Sequence, residues 1–133
     1  MRILFLGSSA EHLFPFVHGH EITHVEDKIS LEEVMRIAPD LIVSFGYRHI
    51  VRKPILDAFH NKIINLHISM LPWNKGADPN FWSWFDQTPK GVTIHLMDEG
   101  LDTGDILFQK MVNFDGSETL ASSYDLLQQQ ITH

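Results

Sequence analysis

Short apolar runs alternate with amphipathic stretches through the first half of this chain. Arg2 to Leu6 is an apolar run ending at Gly7-Ser8-Ser9, which reads as a strand leading into a turn. Ala10 to Val17 follows as a short helix that Pro15, tolerated only in a first turn, would break. Glu21 to Val25 alternates weakly and predicts a second strand. Ser30 with Glu33 three residues on is a capping-box signature. Leu31, Val34, Met35 and Ala38 supply one apolar helical face there, and Pro39 ends it. Leu41 to Phe45 is apolar on both faces, as a parallel strand would be. Pro54 to Phe59 predicts another short helix, and Lys62 to Leu66 the next strand.

Beyond Pro72 the pattern changes. Trp73 to Pro79 is a polar loop with Gly and Pro, followed by the aromatic segment Phe81, Trp82, Trp84 and Phe85. Val92 to Met97 and Ile106 to Val112 read as strands joined by the acidic loop Asp98 to Asp105. Ser117 and Thr119 are caps for a last helix carrying Leu120, Tyr124, Leu127 and Ile131. Strand alternating with helix predicts an α/β fold: a doubly wound, mostly parallel open sheet. Ligands of such sheets sit beyond the carboxyl ends of the strands. Gly7 stands alone, so no dinucleotide fingerprint follows the first strand.

Composition narrows this picture. At 133 residues the chain holds one domain's core, not two. Its formal charge of -7 disfavours nonspecific binding to nucleic acid or to an anionic membrane. No cysteine is present, which removes disulfides and thiolate chemistry. The first apolar run is too short for a signal sequence and no run reaches membrane-spanning length, so the cytoplasm is the expected compartment. The nine histidines are scattered without metal-ligand spacing on a helix, and no metal site is expected.

The candidate chemistry lies in two stretches. In I-N-L-H-I-S-M-L-P, Ile64 to Pro72, Asn65 and His67 stand two positions apart at a strand end, where both side chains face the same way. Asp102 follows in a Gly-bounded loop within H-L-M-D-E-G-L-D-T-G-D-I, His95 to Ile106. An amide donor, an imidazole and a carboxylate are what acyl transfer to an amine needs, because an oxyanion wants donors and an ammonium must lose a proton.

The ordered motifs N-L-H-I-S-M-L-P, G-A-D-P and G-V-T-I-H-L-M-D-E-G-L-D-T-G-D-I-L-F-Q resemble the folate-dependent formyltransferase family, over most of the chain from about Ala38 onward. That resemblance implies a Rossmann-like formyltransferase fold, apparently shortened, with residues 1–133 forming a compact or truncated catalytic domain. Asn65, His67 and Asp102 match the family's catalytic residues. The co-substrate would be 10-formyltetrahydrofolate, its pterin cradled by S-F-G-Y-R-H-I. This assigns Phe45, Tyr47, Arg48, His49 and Ile50 to one side of the pocket and the Asp98 to Asp102 loop to the other. The same loop and L-P-W-N-K-G-A-D-P look most like enzymes that formylate an amino sugar on a nucleotide carrier. A homodimer is the assembly implied by analogy. Formyltetrahydrofolate hydrolysis, glycinamide ribonucleotide or methionyl-tRNA formylation, and a non-catalytic folate-binding remnant are the alternatives.

By that resemblance Asn65 donates to the oxyanion. A protonated His67, favoured by Asp102, is the second donor, and Asp102 takes the ammonium proton. Beside these roles stand plainer ones: a turn cap for Asn65, a core imidazole for His67, a turn carboxylate for Asp102. Ser69 is expected to be structural. Phe45, Tyr47 and Ile50 are divided evenly between pterin slot and core packing. Trp73, Trp82 and Trp84 are divided between stacking on a base or sugar and burial. Lys75 and Arg48 are weak phosphate candidates, and His95 is left unassigned.

Overall fold

The computed structural model describes residues 1–7, 19–100, 102–114, 119 and 122. Six strands form one sheet: β1 (Arg2–Leu6), β2 (Glu21–Val25), β3 (Leu41–Phe45), β4 (Ile63–His67), β5 (Gly91–Leu96) and β6 (Ile106–Met111), in the order β2-β1-β3-β4-β5-β6. The first four are parallel to one another, whereas β5 runs antiparallel to both β4 and β6. The expected α/β sheet is therefore present, with its parallel part ending at β4. Three helices lie among the described residues: α1 (Leu31–Ile37), α2 (Lys53–Ala58) and α3 (Pro79–Phe85).

The alternation of side chains along the strands divides the core in two. Leu4, Leu6, Ile42 and Ile63 pack on one face beneath Val34 of α1 and Ile55 and Leu56 of α2. Ile3, Phe5, Val43, Phe45, Leu66, Ile68 and Val92 cluster on the other. The N-cap half of the capping box forms: the Ser30 hydroxyl accepts from the Glu33 amide at 3.2 Å, while the Glu33 carboxylate takes the Ser30 hydroxyl at 3.3 Å. α1 ends at Ala38, in a left-handed conformation just before Pro39.

The pattern did not predict α3. Its inward face is made of Asn80 and Ser83, both buried, while Phe81, Trp82 and Phe85 stay exposed and pack on one another. A helix with a small polar inner face and aromatic outer positions inverts the usual amphipathic signal. Trp73 and Trp82 are thus not buried, and only Trp84 packs inward, against Phe114. The helices expected at Ala10 to Val17 and from Ser117 onward lie outside the described residues, apart from the Thr119–Ser122 turn.

Candidate active site

Asn65 and His67 leave β4 on the same side as Ile63, the face covered by α1 and α2, at the carboxyl end of the parallel strands. The cross-strand partner of Asn65 in the antiparallel register is His95 of β5. β5 then turns through residues 97–105 back into β6. That turn is tight: Leu96 N–H bonds to Asp105 C=O at 2.8 Å, and a Cβ on Gly104 would overlap the Leu96 carbonyl. Inside it the Asp98 carboxylate accepts from the Gly100 amide at 2.9 Å and the Thr103 hydroxyl at 2.6 Å, and Asp102 takes a left-handed conformation with φ 52°. This backbone aims the Asp102 side chain inward at Asn65, His67 and His95.

The four polar side chains share one volume. Asp102 Oδ1 lies 3.3 Å from Asn65 Nδ2, which donates to it, and 3.3 Å from His95 Nε2. Its Oδ2 accepts from the Gly76 amide at 2.7 Å and lies 3.7 Å from His67 Nδ1. Asn65 Nδ2 is also 3.2 Å from His95 Nε2. Neighbouring carbonyls fix both imidazoles, because a carbonyl only accepts. His67 Nε2 carries the proton it gives to Asn74 C=O at 2.8 Å, and His95 Nδ1 the one it gives to Leu96 C=O at 2.9 Å. The nitrogens facing Asp102 are thus Nδ1 of one ring and Nε2 of the other.

Their electrostatics diverge. Burial pulls the His67 pKa down, and the opposing pull of Asp102 and the Asn74 carbonyl leaves it below its ordinary value of 6.5. For His95 burial also acts downward. The hydrogen bond to Asp102, the Leu96 carbonyl and the charges of Asp102 and Asp98 outweigh it and raise the pKa. Burial raises Asp102, but the His95 bond, the His67 charge and the Gly76 amide together bring it below the usual carboxylate value. His95, not His67, is therefore the imidazole that Asp102 favours as a cation, which reverses the expectation of a protonated His67. The physical reason is burial first: it outweighs the help His67 receives from Asp102 and the Asn74 carbonyl, whereas His95 bonds the carboxylate directly at 3.3 Å, against 3.7 Å for His67.

Other expected site residues are placed less uniformly. Phe45 pairs in register with Leu66 and shares its face, so it lies in the core cluster opposite Asn65 rather than in a pocket beside it. The Tyr47 hydroxyl donates to Asp27 C=O at 2.7 Å and accepts from Ile29 N–H at 3.2 Å, which ties its loop to the entry of α1. Arg48, His49 and Ile50 are exposed, Ile50 to 80%, which leaves an apolar side chain open to solvent on the loop after β3. Asp98 is exposed, with one carboxylate oxygen engaged in its own turn. Lys53 at the start of α2 pairs with Glu99 at 2.7 Å, joining the loop after β3 to the 97–105 turn. Ser69 is structural, donating to the carbonyls of Trp73 and Asn74. His95 was open to discovery only through strand register, and Asn74 and Gly76 act through backbone atoms that no residue identity displays. Among the described residues no group of His, Asp or Glu side chains is arranged to hold a metal ion, and no helix is long and apolar enough to cross a membrane.

An amide, two imidazoles and one carboxylate at the strand ends of an α/β sheet define a site suited to group transfer onto an amine. The formyl transferase family model matches residues 16–132, and the chain belongs to that family. The methionyl-tRNA formyltransferase of Geobacter sulfurreducens is 36% identical over 120 residues, 90% of this chain and 37% of that protein. The Geotalea daltonii enzyme of the same name is 42% identical over 98 residues, 73% of this chain and 31% of its own. The chain thus spans about a third of the length of the curated relatives it matches. Among solved structures, the formyltransferase PseJ from Anoxybacillus kamchatkensis, in complex with UDP-4,6-dideoxy-4-formamido-L-AltNAc and tetrahydrofolate, is 44% identical with a TM-score of 0.88. The match covers 98% of this chain and 70% of PseJ. Phosphoribosylglycinamide formyltransferase from Streptococcus pneumoniae, 21% identical over 98% of this chain and 92% of its own with a TM-score of 0.80, shares the fold.

Proposed function

We propose that residues 1–133 form the formyl-transferring domain of an enzyme that moves a formyl group from 10-formyltetrahydrofolate to the amine of a nucleotide-linked amino sugar. The observation that carries this reading is the convergence of Asn65, His67 and His95 on Asp102, at 3.3, 3.7 and 3.3 Å. For the acceptor, the support is the 44% identity to PseJ across nearly the whole chain. The methionyl-tRNA reading has its own support in the 36% identity over 90% of the chain. The charge of -7 within residues 1–133 weighs only against contact of this segment itself with a polyphosphate backbone.

The donor, through its flat ring system, is assigned to the loop after β3, where Ile50 is an exposed apolar side chain, and to the 97–105 turn that Glu99 ties to Lys53 of α2. When bound, it supplies a formyl carbon on N10 to an attacking amine. The Asn65 amide then donates to the oxygen that becomes negative as the amine nitrogen bonds to that carbon. Its present bond to Asp102, 3.3 Å, is long and exchangeable. Neutral His67, its Nε2 proton committed to Asn74, offers the Nδ1 lone pair to the amine's proton. The resulting imidazolium faces Asp102 Oδ2. His67 returns that proton to N10 as the carbon–N10 bond breaks, leaving a formamide and tetrahydrofolate. His95 keeps Asp102 ionised through the cycle.

The test is incubation with 10-formyltetrahydrofolate and a panel of UDP-linked 4-amino-4,6-dideoxy sugars, read by mass for one added formyl group. Initiator methionyl-tRNA serves as the competing acceptor. Formylation of a sugar is expected. Formylation of the tRNA alone would overturn the acceptor, and formate release without any acceptor would make the protein a hydrolase.

A further inference from the structure

The loop between β4 and α3 touches both the imidazole and the carboxylate, yet neither contact uses a side chain of that loop. The Asn74 carbonyl accepts from His67 Nε2 at 2.8 Å, and two residues on, the Gly76 amide donates to Asp102 Oδ2 at 2.7 Å. One short piece of backbone therefore sets the distance between them. Asn74 holds a left-handed conformation with φ 57°, which Asn adopts more readily than most residues, and Gly76 has φ 90°. The Ser69 hydroxyl braces the loop from the inside, on the carbonyls of Trp73 and Asn74. From the outside the Asn74 side chain donates to Thr88 Oγ1 at 2.6 Å, and the Thr88 amide is itself bonded to Ser83 C=O at the end of α3.

We infer that the Asn74–Thr88 hydrogen bond is a positioning strut for the reaction. By fixing the Asn74 carbonyl against α3, it holds His67 in the tautomer with its proton on Nε2 and its open Nδ1 toward Asp102. The inference rests on the proposed formyl transfer only for its kinetic consequence; the tautomer itself is a property of the unliganded protein. Among the described residues this is the one side-chain tie between the 73–78 loop and the segment after α3. Without it the carbonyl is held only by His67 itself, at 2.8 Å, and by the Ser69 hydroxyl, at 3.3 Å. His67 is then free to exchange to the other tautomer, with Nδ1–H turned to the carboxylate, and in that form it no longer accepts a proton from the amine.

Two substitutions isolate the strut. Thr88→Val removes the acceptor and keeps the shape; Asn74→Gly removes the donor and keeps both the carbonyl and the left-handed backbone. Each is expected to lower kcat about tenfold with little change in either KM, a small misplacement at the reacting group. Nitrogen-15 shifts of the His67 ring should change from the single Nε2–H form to a mixture. Thr88→Ser, which restores the hydroxyl, should recover both readouts. The double variant should lose no more than either single one, since both cut the same bond. An unchanged His67 tautomer in Thr88→Val and Asn74→Gly, or additive losses in the double variant, would overturn the strut. The ring shifts decide this even if the protein transfers no formyl group, so failure of the inference and failure of the proposed function give different results.

Discussion

The two ends of the sheet are held by different physics. From β2 to β4 the interior is aliphatic and aromatic: Leu4, Leu6, Ile42, Ile63 and Val34 are all but inaccessible, and backbone ladders satisfy the polar groups. From the last residue of β4 onward polar side chains are buried beside Ile68, Leu71 and Val92: Asn80, and His67, Ser69, Ser83, Thr93 and His95, these five tied to backbone carbonyls or to Asp102. Packing of the first kind tolerates water poorly but is indifferent to pH. A polar interior of the second kind is only as good as its partners, and removing one leaves the others buried and unsatisfied. The parallel end can thus serve as a rigid platform, and the antiparallel end as a chemical device mounted on it.

The contrast is broken most severely at the platform. Leu4 is fully buried between β2 and β3 beneath α1. Leu4→Ala is expected to cost about 3 to 4 kcal/mol in urea unfolding while leaving the pH dependence of stability unchanged. Asn65→Ala should do the opposite. Its loss appears as about 3 kcal/mol of transition-state stabilisation, two to three orders of magnitude in kcat, with the unfolding midpoint little moved. A variant that lost stability and activity together would show that the two ends are not separable in this way.

How far the sequence displayed this division depends on the kind of signal. Short apolar runs announced β1, β3 and β4, and the Ser30–Glu33 spacing announced α1, because burial and capping write themselves into residue type. Asn65 and His67 were visible because two-residue spacing fixes a common face whatever the sheet does. His95 was not, since its meeting with Asn65 depends on the antiparallel register of β5 against β4. Phe45 was read partly as a pocket residue because its facing relative to Asn65 depends on the β3–β4 register. α3 was missed because Asn80 and Ser83 face in and the aromatics face out. A neutral His67 is not legible in the sequence because the burial that outweighs Asp102 and the Asn74 carbonyl is a property of folded space.

A third expectation, smaller in size, follows from the Asp102–His95 pair. His95 has a folded pKa above its ordinary 6.5, so its contribution is complete below that value and is lost as pH rises through the raised one. Asp102 is depressed, so its contribution is complete above the ordinary carboxylate value and is lost as pH falls through the lowered one. His67 works against His95: its depressed pKa adds stability above 6.5 that disappears as pH falls through the folded value. Replacing His95 by Gln should therefore destabilise the protein most in weakly acidic solution, between the two ordinary values. The penalty should shrink as pH rises from 6.5 through the folded His95 value and level off above it. Urea titrations from about pH 4 to pH 9 would measure this. A penalty that grows with rising pH would mean that His95 is neutral and that Asn65, not Asp102, is its partner.

The smallest effect belongs to the surface. Lys53 joins α2 to Glu99 at 2.7 Å and to Asp57 at 3.4 Å, with all three side chains more than half exposed. Glu99 raises the Lys53 pKa, first through its hydrogen bond, but an exposed pair is screened by salt and bears little weight. Lys53→Gln should leave unfolding unmoved. Because the pair spans the loop after β3 and the 97–105 turn, its removal should instead raise the KM for the folate donor by less than about twofold, an effect that fades in high salt. A tenfold rise that persisted in salt would make Lys53 a direct contact to the donor rather than a tie between two loops. The ring system would then have to lie over α2, not against Ile50.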